Sequence, residues 1–146
     1  MSAFNHMNSS LRLCIDSVDD HVLQGRVFSQ RFLQPLKFSD LGNLVLYLED
    51  VFDEQDFPQA FQRSRTFAPY NSDMSIVAPD PSSGMTPAVV GAARGAVATF
   101  DVLVISRRSS SWQGSVDWLD GSARQEFVSY LELLRMINER LFLKKT

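Results

Sequence analysis

One short phrase occurs twice in this chain, and the spacing between its occurrences constrains the fold more than any other feature. Gln24-Gly25-Arg26-Val27 returns 89 residues later as Gln113-Gly114-Ser115-Val116. At the same offset Leu11, Leu13 and Ile15 meet Phe100, Val102 and Val104, and Phe38 meets Phe127. Leu41, Val45, Leu48 and Phe52 meet Tyr130, Leu134, Ile137 and Leu141. Apolar positions that coincide at one offset imply that the same faces are buried in both stretches. The pattern predicts an α+β fold: a duplicated β-β-β-α unit forming an antiparallel sheet, two amphipathic helices packed on one side, and a pseudo-two-fold axis. Residues 1–146 are expected to form a single domain, with a first copy at 11–53, a Phe/Pro/Gly-rich connector at 54–96 and a second copy at 97–143.

In the first copy, Leu11–Asp16 alternates as a half-buried strand and Ser17–His21 reads as a turn. Val22–Phe28 is a second strand, where Gly25 signals a bulge or a close approach. Leu36–Phe38 is a short third strand. Asp40 is placed to cap a helix to about Asp53, with Leu41, Leu44, Val45, Leu48, Val51 and Phe52 as its apolar stripe. Gly42 inside that helix points to tight packing. Phe57, Phe61 and Phe67 are expected to fold back onto the core. From Ala68 to Gly95 prolines and glycines mark a linker, with a short edge strand at Met74–Val77.

The second copy begins near Val97 with a strand apolar on both faces, the pattern of a central strand covered on both sides. A polar connection at Arg107–Ser111 leads to the strand Trp112–Leu119, where Trp112, Gly114, Val116 and Trp118 share a face. Asp120-Gly121 signals a two-residue type I′ turn into a third strand, Ser122–Phe127. Ser129 and Glu132 form a capping box, with Val128 and Leu133 as its hydrophobic staple. Tyr130, Leu131, Leu134, Ile137 and Leu141 stripe the helix to Phe142, and Lys144 and Lys145 suit its C-terminal dipole.

Charge and cysteine usage narrow the function. The net charge is −3, with 6 basic and 10 acidic residues in 1–73 against 8 and 7 in 74–146. Such a chain draws no long-range attraction to a polyanion, so a nucleic-acid role needs a local basic patch in the second half. The one cysteine, Cys14, excludes an intrachain disulfide. Residues 1–8 lack the basic start and apolar run of a signal peptide, and Arg94 and Asp101 interrupt the most apolar window. A cytoplasmic protein without membrane association is the expectation.

Ala98-Thr99-Phe100, Arg107, Ser110-Ser111-Trp112-Gln113-Gly114, Trp118-Leu119, Phe127 and Leu131-Glu132-Leu133-Leu134 together resemble a family of small uncharacterised bacterial proteins. Leu23-Gln24-Gly25-Arg26 and Phe52-Asp53…Asp56-Phe57-Pro58-Gln59 resemble the same family. The likeness spans most of the chain outside 68–95 and carries no activity with it. The repeated strands-then-helix order resembles, at the level of topology, the Whirly and PUR-type single-strand nucleic-acid-binding modules.

The side-chain inventory points away from catalysis. Cys14 in a strand reads as an inert packed thiol. His6, His21 and Cys14 lack ligand spacing, so no metal and no cofactor are expected. Glu49, Asp50, Asp53, Glu54 and Asp56 lack the pattern of a calcium loop and read as a solvated helix end or a contact for a basic partner. No G-x-S-x-G elbow or phosphate loop is present. Trp112 and Trp118 are the floor for the second helix if their face is covered. If it is open, they are stacking platforms, with Arg107, Arg108 and Arg124 as phosphate contacts. The expected function is therefore a non-catalytic binding or assembly module. It would use an exposed sheet face or edge to take a protein partner or a second copy. The alternative is a single-stranded nucleic-acid-binding protein using Arg107, Arg108, Trp112, Trp118 and Arg124.

Overall fold

Period-two alternation in six short stretches builds one sheet. The computed structural model describes residues 3–20, 22–59, 74–108 and 111–143. Strands β1 (Leu11–Asp19), β2 (Val22–Phe28), β3 (Leu36–Phe38), β4 (Ala98–Ser106), β5 (Gln113–Asp117) and β6 (Gln125–Phe127) form an antiparallel sheet in the order β3-β2-β1-β4-β5-β6. Helices α1 (Leu41–Gln55), α2 (Pro87–Ala92) and α3 (Tyr130–Asn138) accompany it, and α3 continues as a π-turn over Glu139–Leu143. The fold is α+β.

The pairing registers follow the sequence offset. Ile15 faces Gly25 and Val104 faces Gly114; Gly25 faces Phe38 and Gly114 faces Phe127. A bulge interrupts β1 between Ile15 and Ser17, and another interrupts β4 between Val104 and Ser106. At the central junction Arg12 faces Asp101, flanked by Leu11 opposite Val102 and Leu13 opposite Phe100.

One face of the sheet is apolar and carries the core. Leu11, Leu13, Ile15, Phe100, Val102 and Val104 are buried together with Leu44, Leu48, Phe52, Leu133 and Ile137 of the helices. A small apolar cavity between α1 and α3 is lined by both helices and by Leu11, Leu13 and Val102, so both helices rest on this face. Each begins at the expected cap: Asp40 accepts from the Gly42 N–H, and Ser129 accepts from the Glu132 N–H.

Several local expectations are corrected. Strand β1 runs on to Asp19, because the bulge at Asp16 restores its pairing with β2; His21 lies outside the described residues. Gly42 is exposed, and a Cβ there would meet only the Asp40 carboxylate at 3.4 Å, so it marks no tight packing. Gly25 is the tight position: its Cβ would overlap the Cys14 carbonyl oxygen, just as one at Gly114 would overlap that of Leu103. The edge strand at Met74–Val77 reduces to one bridge, Val77 to Phe32. The connector also supplies a 3₁₀ turn at Pro81–Ser83 and α2.

Further corrections fall between residues 97 and 143. Strand β4 is covered fully on one face only, with Leu103 half-buried and Ile105 exposed on the other side. No two-residue turn joins β5 to β6: left-handed φ falls at Leu119 and Gly121, Asp120 accepts from Ser122, and β6 starts at Gln125. Glu132 reaches back to the Val128 N–H instead of to that of Ser129. Val128 is exposed and makes no buried staple, and Leu133 replaces Leu131 on the buried stripe of α3. The expectations for Phe61, Phe67, Lys144 and Lys145 fall outside the described residues.

Candidate interaction surface

Large aromatics on a sheet face that must support two helices are driven under them by the area they bury. Trp112 is 1% exposed and Trp118 6%. The Trp112 ring packs 5.3 Å from Phe52 and 5.9 Å from Tyr130, and its indole N–H donates to Glu49 Oε2 at 2.9 Å. Trp118 packs 5.0 Å from Phe100, donates to Gln125 Oε1 at 2.6 Å and carries the Arg140 guanidinium on its ring. Both tryptophans are floor, and neither offers a stacking platform.

Arg107 is also withdrawn from the surface, at 2% exposed. It donates from Nη1 to Glu49 Oε1 at 2.7 Å, lies 3.0 Å from Asp53, and donates from Nε to the Pro58 carbonyl at 2.7 Å. Its Nη2 is buried without a hydrogen-bond partner. A polar connection was expected at this position. The acidic end of α1 pulls the cation inward, because paired carboxylates offset its desolvation. Glu49 and Asp53 are therefore an internal counter-charge and not a solvated helix end. Of the five residues expected to bind nucleic acid, Arg107, Trp112 and Trp118 are buried, whereas Arg108 and Arg124 are exposed.

A second buried guanidinium lies close by and carried no signal in the sequence. Arg31 donates to the carbonyls of Ser9 and Phe57 and to Gln55 Oε1, and Gln55 donates back to the Arg31 and Ala78 carbonyls. The Phe4, Phe52 and Phe57 rings surround it at 4.6–5.7 Å. Burial, and less strongly the neighbouring Arg107, push its pKa down to about 9. Cation–π contacts and carbonyl acceptors hold it in place. Arg31 and Arg107 thus pack the end of α1 against the first and second halves respectively. They hold structure together and present no donor to a ligand.

The surface that does remain is on the other side of the sheet. There the connector crosses β1 and β2: Arg12 donates to the Gly91 and Ala93 carbonyls, Arg26 to that of Arg94, and the Ala96 N–H to Asp16. Arg12 also pairs with Asp101 at 2.5 Å, and Arg26 with Asp16 at 2.7 Å. Beneath this cover Cys14 is fully buried, and burial raises its thiol pKa, which makes it a poor nucleophile. Over β4, β5 and β6 no described residue of the connector makes such a contact, and His6 Nε2 lies 3.4 Å from the Ile105 carbonyl. Ile105, at the β4 bulge, is 43% exposed; Leu103 and Asp117 are half-buried, and Glu126 is exposed.

No family model matches this chain, and neither does a curated protein or a solved structure. Among the described residues no three His, Cys, Asp or Glu side chains gather as metal ligands, and no helix is long and apolar enough to cross a membrane.

Proposed function

We propose that this chain is a non-catalytic binding or assembly module, built by duplication of a β-β-β-α unit and acting through the half of its sheet that the described part of the connector does not cross. The duplication accounts for the shared registers, for the paired bulges at Asp16 and Ile105, and for the caps at Asp40 and Ser129. The pseudo-two-fold axis passes through Arg12 and Asp101, which are each other's counterparts at the 89-residue offset. The observation that carries the reading is the exposed Ile105 beside Leu103 on the uncrossed half. Its counterpart in the first copy, Asp16, is tied down by Arg26 and the connector. Apolar side chains amid charge on a sheet face suit a protein partner.

A photo-crosslinking residue at position 105 tests this. It is expected to form a discrete protein adduct, with a partner in host extract or with a second copy, that the same probe at Val89 does not form. Absence of any adduct above that control overturns the reading. An adduct with nucleic acid alone supports the single-stranded nucleic-acid alternative, for which Arg108 and Arg124 are the exposed cations that remain.

A further inference from the structure

An antiparallel sheet that does not close leaves two edges, and the chemistry of this sheet treats them differently. Edge β3 is directly preceded by Pro35, which has no N–H to donate, and presents Lys37 at its centre. Both are devices that discourage pairing with another chain. Two copies meeting at β3 would bring Lys37 against Lys37. The opposite edge, β6, has neither device, although the two edges share a register: Gly25 faces Phe38 and Gly114 faces Phe127. It reads Gln125-Glu126-Phe127 and follows directly on Arg124.

Arg124 and Glu126 lie on the same side of the sheet. Glu126 faces Ser115 across β5, and Arg124 lies 3.9 Å from Asp117, two residues further along. The Arg124–Asp117 pair is loose, and the Arg124 side chain is 63% exposed. Just beyond β6, Val128 and Leu131 are 71% and 69% exposed. An antiparallel strand that carries opposite charges two residues apart is complementary to itself.

We propose that the β6 edge is a self-association site, at which a second copy of this chain adds its own β6 antiparallel about a two-fold axis at Gln125. Arg124 of each copy then faces Glu126 of the other, so the contact makes the same cross-strand pair twice. Isologous pairing of this kind closes after two copies, whereas a β3-to-β6 contact would propagate without end and would make only one such pair, Lys37 with Glu126. The proposal rests on the assembly reading above and names its occupant and its edge.

Light scattering after size exclusion reads the outcome. The wild-type chain is expected to have twice the mass of the 16.5 kDa monomer. Glu126→Arg, and separately Arg124→Glu, each place like charges opposite one another twice and should weaken the dimer roughly tenfold or more. The double exchange R124E/E126R should restore it, and Lys37→Glu should leave it unchanged. Far-ultraviolet circular dichroism confirms that each variant is folded. A wild-type chain that stays monomeric at high micromolar concentration overturns the proposal, as does a dimer that Glu126→Arg and Arg124→Glu leave intact. In a monomeric chain whose position-105 probe still captures a partner, the dimer is lost and the binding reading stands. If the dimer forms and the probe captures nothing, the open face is lost and the edge stands.

Discussion

Glycine does opposite things at different positions in this chain. At Gly25 and Gly114 the neighbouring strand passes so close that a Cβ would overlap a backbone carbonyl oxygen, which cannot rotate away. Gly25→Ala and Gly114→Ala should each destabilise the fold by about 2–3 kcal/mol in urea unfolding. Gly42→Ala should instead stabilise by up to about 1 kcal/mol, since the position is helical and open. Equal effects at all three positions would contradict the packing described. Asp16 carries a charge effect of the same local kind. The hydrogen bond from Arg26 is the largest cause holding its carboxyl below the usual range. Because the folded pKa is the lower one, the contribution is present above the unfolded value near 3.8 and is lost as pH falls through the folded value. Asp16→Asn should therefore flatten the acid limb of the stability curve below about pH 4 and leave its alkaline limb unchanged.

Helix α1 is joined to the segment that leads into strand β5 by one carboxylate. Glu49 accepts from the Trp112 indole and from Arg107, linking a helix of the first half to the strand connection of the second. Glu49→Ala strands a buried N–H and leaves Arg107 with Asp53 and the Pro58 carbonyl. Glu49 is itself 30% exposed, so solvent softens the loss. An expected cost of about 2 kcal/mol follows, read as a shift of the denaturation midpoint without a change of slope. If the cost falls below about 0.5 kcal/mol, the link does not join the two halves.

The whole molecule is organised about the pair at the centre of the sheet. Arg12 binds Asp101 across the central junction and also holds the end of α2 through the Gly91 and Ala93 carbonyls. Arg12→Ala should cost about 2–3 kcal/mol, because Asp101 loses its counter-charge in a partly desolvated place. Amide exchange should accelerate over residues 87–96 well before it does in β2 or β5. Uniform acceleration across the sheet would show that the connector is not held there.

The sequence by itself determined the places of the six sheet strands, the caps at Asp40 and Ser129, and the 89-residue offset that the pairing registers follow. Those follow from local periodicity and backbone chemistry, which act between near neighbours. It also marked Gly25 as a position needing room. Only the tertiary structure decided which polar residues are inside. Arg107 read as a surface cation and Arg31 carried no signal, because a guanidinium is buried only where distant groups meet it. Glu49, Asp53 and the Pro58 carbonyl meet Arg107 from 49 to 58 residues away. Tertiary structure likewise decided that the described part of the connector lies over β1 and β2: it has no periodicity that reveals its path, and its position is set by hydrogen bonds to Arg12, Arg26 and Asp16.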